Sequence, residues 1–235
     1  MQSKRIVMVI TSQQYLGYSS TPTGLWLDQF IISYYTLVDR GVAVTLCSLK
    51  GGQVPIDPLS VTLLGQGLGC SRDEVKRFED DIRVQESLAA THLLSHIEPK
   101  DYSAVVIMGG YGGLCDLSCD PDAVSLLDNF YSQDKPICTV GHASGVLINV
   151  SDLEDQPIVA GKNVTGYSNK EEMNTGRAEM VPFLVEDELI RRGAIFHQSN
   201  EGGAHVEMDG LLITGQNSAS CKEATLALLG RLNEG

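Results

Sequence analysis

Short apolar runs recur along the chain, separated by stretches with helical periodicity. Arg5 to Ile10, Val42 to Ser48, Ala104 to Met108 and Pro136 to Val140 are runs of the first kind. Each is bounded by Gly, Pro or charge and reads as a strand buried on both faces. Leu25 to Asp39 and Asp120 to Gln133 read as helices, and a further helix is expected from His142. Asn217 to Leu232 places Ala219, Leu226 and Leu229 on one side, and Ser220 followed by Glu223 has the spacing of a capping box. Strands alternating with helices predict an α/β fold: a doubly wound, mostly parallel sheet with helices on both faces.

Two regions interrupt the alternation. Residues 51–70 carry Gly-Gly, two prolines and a glycine-rich tail, and read as loop. Residues 72–98 are charged, then amphipathic, and predict a small helical addition, so the insertion spans about 51–98. After residue 150, Asp155 to Pro157, Gly161 and Asn169 to Gly176 are turn-rich. Val181 to Arg192 reads as a helix that Gly193 stops. Ala194 to Phe196, His205 to Met208 and Leu211 to Thr214 read as short strands, with Asp209-Gly210 as a hairpin signal. There is no repeat and no linker, so the expectation is a single domain over residues 1–235.

Charge narrows the partners. Acidic residues outnumber basic ones 30 to 17, a net charge of −13. That balance argues against nucleic acid, whose binding rests on Lys and Arg, and against anionic membrane surfaces. No apolar run approaches the ~18–20 residues of a membrane span. The run after Lys4 and Arg5 is too short for a signal-peptide core. Six scattered cysteines then predict reduced thiols and a cytoplasmic protein. Cys138 reads as a packed core thiol. Cys115 and Cys119 have no matching pair elsewhere, so no metal is expected. Gly109-Gly110-Tyr111-Gly112-Gly113 lacks both Gly-x-Gly-x-x-Gly spacing and a phosphate-binding lysine, so no nucleotide cofactor is expected either.

Chemistry is expected where strands end in glycine. Pro136 to Val140 runs into Gly141-His142-Ala143-Ser144-Gly145, a sharp strand-to-helix turn of the kind that displays a nucleophile. Ala104 to Met108 runs into the Gly109–Gly113 loop, and both loops fall at the carboxyl edge of the sheet, where open α/β folds bind ligands. Ser144 reads as a cap. His205, isolated at the start of a short strand, reads as structural.

At this point the sequence resembles the ThiJ/PfpI superfamily of class I glutamine-amidotransferase-like proteins, in the branch with glyoxalase-III and holding-chaperone members. The resemblance is carried by Thr23 to Asp28, Gly51-Gly52 with Pro55 to Pro58, Asp101 to Ala104, Met108 to Gly113, Gly161 to Asn169, Val181 to Leu184 and Asp209 to Asn217. It runs from about residue 5 to residue 228. It implies a flavodoxin-like sheet, a small-molecule ligand or substrate, and a homodimer. It places His205 near the pocket rim.

The resemblance also exposes what this chain lacks. Similar proteins end the fourth strand in Cys-His-Gly, with Cys as nucleophile; here the place reads Gly141-His142-Ala143. They carry a pocket carboxylate, usually Glu, five residues after the Gly of the Thr-Gly motif; here that position is Gln29. The His often seen in the glycine loop is Tyr111. Asp28 neighbours Gln29, but the ~100° between successive helical residues predicts that it points elsewhere.

These residues support a Cys-independent enzyme acting on a small carbonyl-containing or polar metabolite. The reaction would be an isomerisation, a hydration or elimination, or a cyclisation. His142 and Tyr111 would move protons, the backbone N–H groups of Gly110 and His142 would hold an oxyanion, and Gln29, Gly141, Ala143, Trp26 and His205 would line the substrate site. The alternative is an inactive family member that binds a small molecule or acts like a chaperone.

Overall fold

The computed structural model describes residues 4–63, 69–200 and 202–234. Strands in chain order are β1 (Arg5–Ile10), β2 (Ala43–Ser48), β3 (His92–Leu93), β4 (Ala104–Ile107), β5 (Ile137–Val140), β6 (Asn163–Val164), β7 (Ile195–Phe196), β8 (Val206–Asp209) and β9 (Leu212–Gly215). Seven of them form one sheet in the order β3-β2-β1-β4-β5-β9-β8. All neighbours are parallel except β8, which pairs antiparallel with β9. The expected doubly wound, flavodoxin-like α/β fold is the one found.

The helices are α1 (Leu27–Val38), α2 (Pro58–Leu63), α3 (Arg72–Asp80), α4 (Ile82–Ala89), α5 (Tyr111–Asp116), α6 (Pro121–Ser132), α7 (Asn169–Thr175), α8 (Val185–Arg191) and α9 (Cys221–Glu234). Side chains alternate across each central strand, so one β1 run feeds two cores. Val7 and Val9 join Leu127 and Phe130 of α6 on one face; Met8 and Ile10 join Phe30 and Ile31 of α1 and Leu228 of α9 on the other. The chain leaves β1 for β2 and β3, then returns to β4 on the opposite side of β1. The loops after β1 and β4 therefore diverge and leave a crevice at the carboxyl edge.

Several expectations change. The helix expected from His142 is a tight 3₁₀ segment, Gly141–Asn149. The C-terminal capping box joins Asn217 to Ser220, not Ser220 to Glu223, because the Ser220 hydroxyl accepts from the Asn217 backbone N–H. The insertion is only partly helical: it adds α2 where a loop was expected, and β3 pairs with β2 at the sheet edge. Its glycine-rich tail, residues 64–68, lies outside the described residues. Ile195–Phe196 pairs with β6 in a separate two-stranded sheet. Asn169 to Gly176, expected as turns, is α7 with Gly176 as its left-handed cap at φ 69°.

Candidate active site

Strand β5 ends at Val140, and Gly141 turns the chain at φ 63°, a conformation that glycine adopts without steric cost. A Cβ placed there would lie 3.2 Å from Gln29 Nε2. The next residue, His142, is buried, its ring held between Tyr111 at 4.2 Å and Tyr167 at 4.1 Å between centroids. Tyr111 opens α5 directly after Gly110, whose φ is 88°. A Cβ on Gly110 would lie 2.9 Å from Trp26 Cβ, so glycine is needed for Trp26 to sit against this loop. The Trp26 N–H donates to the Gly109 carbonyl at 2.9 Å, which ties the entry of α1 to the end of β4.

Helix α7 brings two carboxylates to this floor. Ser168 caps it: its hydroxyl accepts from the Glu171 N–H, and the Glu171 carboxylate accepts from the Ser168 N–H and O–H. Glu171 also accepts from Gln216 Nε2 at 2.9 Å and Asn217 Nδ2 at 2.7 Å. Glu172 is turned inward and 3 % exposed. Its Oε2 lies 2.6 Å from His142 Nε2, and its Oε1 accepts from the Tyr111 hydroxyl at 3.0 Å and Thr175 Oγ1 at 3.2 Å. Burial pushes the Glu172 carboxyl up, but the bonds from His142, Tyr111 and Thr175 outweigh it and hold it below its usual range. Burial and the Glu172 charge push the Tyr111 phenol up, so it stays protonated and donating. An ionised Glu172 needs a donor at its second oxygen as well. His142 Nε2 therefore carries the hydrogen of this contact.

The opposite wall corrects an expectation. Asp28 and Gln29 line the same cavity, because it caps the first turn of α1 rather than one side of the helix. Ser218, in the turn before α9, bridges them: Gln29 Nε2 donates to Ser218 Oγ at 3.3 Å, and Ser218 Oγ donates to Asp28 Oδ1 at 3.1 Å. Burial pushes the Asp28 carboxyl up to about 6, against the pull of the Ser218 and Gln29 hydrogen bonds.

The cavity between these walls encloses about 340 Å³. Of the expected residues, Trp26, Gln29, Tyr111 and His142 line it, together with Asp28, Tyr167, Glu171 and Ser218. Gly110 and Gly141 shape the backbone around it. Ala143 packs into the core on the α6 side of the sheet. His205 lies apart from the lining residues: its Nε2 is 2.8 Å from Glu207 Oε1, and its backbone N–H donates to Ser220. Ser144 and Thr139 share a buried hydroxyl contact of 2.9 Å. Among the described residues no group of three His, Cys, Asp or Glu is placed to hold a metal ion. Glu172, bonded to His142, and Ser218, which bridges Asp28 and Gln29, are residues of this site that the sequence reading missed, as are Tyr167 and Glu171 of the lining. For Glu172 a signal existed, the Ser168-x-x-Glu171 capping box that starts its helix.

The profile of the DJ-1/PfpI family matches residues 29–230. The chain belongs to the DJ-1/PfpI family. The ThiJ/PfpI resemblance read from its motifs is thereby shown. The chain is 33% identical over 153 residues to the glutamine amidotransferase-like class 1 domain-containing protein 1 of Bos taurus, covering 65% of this chain and 69% of that protein. It is 32% identical over 162 residues to a putative glutathione-independent glyoxalase of Schizosaccharomyces pombe, covering 63% of each. The X-ray structure of Rapid Encystment Protein 24 KDa from Francisella tularensis superposes with a TM-score of 0.89 at 32% identity, over 97% of this chain and 99% of that one. Glyoxalase III of Candida albicans shares the fold, with a TM-score of 0.85 at 18% identity over 97% and 96% of the two chains. No helix among the described residues is long and apolar enough to cross a membrane.

Proposed function

We propose that this family member is an enzyme that moves protons on a small carbonyl-containing metabolite without a covalent intermediate. The observation that carries the reading is the buried 2.6 Å pair of Glu172 with His142, whose ring lines a ligand-sized cavity. Glu172 fixes the imidazole, and Nδ1 is the base. It takes a proton from the carbon next to the substrate carbonyl. The backbone N–H groups of Gly110 and His142 face the oxygen that gains charge. Returning the proton to the former carbonyl carbon, with the α-hydroxyl proton passing to the oxyanion, completes an isomerisation; expelling a leaving group from the β carbon completes an elimination. Tyr111 acts by positioning, since its proton is committed to Glu172. Thiol chemistry of the kind the family resemblance implies needs a nucleophile that Gly141 does not supply.

The test is solvent exchange. The protein is incubated in D₂O with α-hydroxy and α-amino carbonyl compounds, and with the 2-oxo aldehyde methylglyoxal, and deuterium entering the carbon next to the carbonyl is followed by NMR. Exchange in the wild type that is lost in His142→Asn supports the reading. Exchange that survives His142→Asn overturns it. The second reading, a binding protein, is favoured by the missing nucleophile. Its signature is a ligand that perturbs Trp26 fluorescence and is recovered unchanged.

A further inference from the structure

The cavity has a chemical bias that the acid–base reading leaves unused. Among the described residues its lining includes the carboxylates of Asp28 and Glu171 and no lysine or arginine. The cation of Arg177 stacks 5.1 Å over the Tyr111 ring and faces Asp57 at 3.9 Å, and it is not among the lining residues. No described lining side chain carries a positive charge of its own to pair with an anionic head group on the α1 side.

The hydrogen-bond directions on the α1 wall point the same way. Ser218 gives its proton to Asp28, so it can only accept from Gln29, and this fixes the Gln29 amide with Nε2 toward Ser218. Gln29 is 4 % exposed, and its Oε1 is buried without a hydrogen-bond partner. A buried acceptor with no donor costs free energy until one arrives. Glu171, by contrast, already accepts from Ser168, Gln216 and Asn217. The unmet demand is therefore for donors, and it sits at Gln29 beside Asp28. The facing surfaces of Trp26, Tyr167 and Leu59 are apolar and suit a flat or aliphatic body.

We infer that the Asp28–Ser218–Gln29 wall is a head-group subsite that selects substrates bearing an amine or hydroxyl and rejects carboxylates and phosphates. This rests on the proposed function for where the substrate lies. The carbonyl end faces His142, and the donor end faces α1.

A matched series with one body and three heads tests it: 2-phenylethylamine, 2-phenylethanol and phenylacetate. Binding is read by Trp26 emission, the chain's single tryptophan, and by ligand-observed NMR. The amine and the alcohol are expected to bind at least tenfold more tightly than phenylacetate. Asp28→Asn is expected to erase the amine's advantage over the alcohol, and Ser218→Ala to weaken both, with circular dichroism checking the fold of each variant. The wild-type series stands without the variants. Phenylacetate binding as tightly as the amine, or no binding by any of the three, overturns the inference. Turnover does not enter this test. An inactive protein that prefers the amine refutes only the enzyme reading, and an active one that prefers phenylacetate refutes only the head-group subsite.

Discussion

Asp28→Asn isolates the electrostatic cost of the α1 wall. The carboxyl is raised from 3.8 to about 6, first because burial removes water from its charged form. Each unit corresponds to about 1.4 kcal/mol, so the fully ionised side chain costs roughly 3 kcal/mol relative to the protonated one. The sign follows from which state holds the proton longer. Between the unfolded and folded values the native protein binds more protons. The contribution of protonated Asp28 is therefore complete below pH 3.8 and lost as pH rises through about 6. Asn keeps the shape and an acceptor for Ser218, and it does not titrate. The stability of wild type minus variant should thus be greater at pH 5 than at pH 8 by about 1.4 kcal/mol, the tenfold proton preference one unit below the folded value. Urea unfolding followed by Trp26 fluorescence measures both. Asp116, also pushed up to about 6 by burial, is present in both proteins and cancels in the difference. A difference that stays constant between the two pH values, or grows toward pH 8, refutes the reasoning.

Two further outcomes test the elbow and the thiols. Gly141→Ala forces an L side chain into φ 63° and brings its Cβ to 3.2 Å from the Gln29 amide; it should cost about 1–2 kcal/mol in urea unfolding, and unchanged stability would show that the turn relaxes. Cys119 is exposed, whereas Cys47, Cys70 and Cys138 are buried with thiols pushed up to about 12, and Cys221 is buried with its thiol also raised. A disulfide reagent should therefore label Cys119 first in native protein, as mapped by mass spectrometry, and rapid labelling of Cys138 would contradict the burial of β5.

What could be read from the sequence follows the range of the forces involved. β1, β4 and β5 are buried on both faces, so each had to be a continuous apolar run, and each was legible. β3 and β6 are two residues long and exist through backbone pairing alone, which leaves no side-chain pattern. In the site, Gly110, Tyr111, Gly141 and His142 were legible because they follow directly on strand ends. Glu172 was not, although the Ser168–Glu171 capping box marks the start of its helix, because its contact with His142 depends on where α7 lies in the fold. Asp28 failed for a geometric reason. The ~100° rotation between helical neighbours separates two side chains only when the cavity flanks the helix. Here the cavity caps the helix start, and Ser218 joins both residues. With Gly141 at the elbow, what the site can do is a matter of placement. One carboxyl, Glu172, is held ionised by three donors; another, Asp28, is pushed toward neutrality by burial. This divides the two carboxyls between opposite states, Asp28 lining the cavity and Glu172 bonded to the His142 ring. That division exists only once α1 and α7 meet across the carboxyl edge of the sheet.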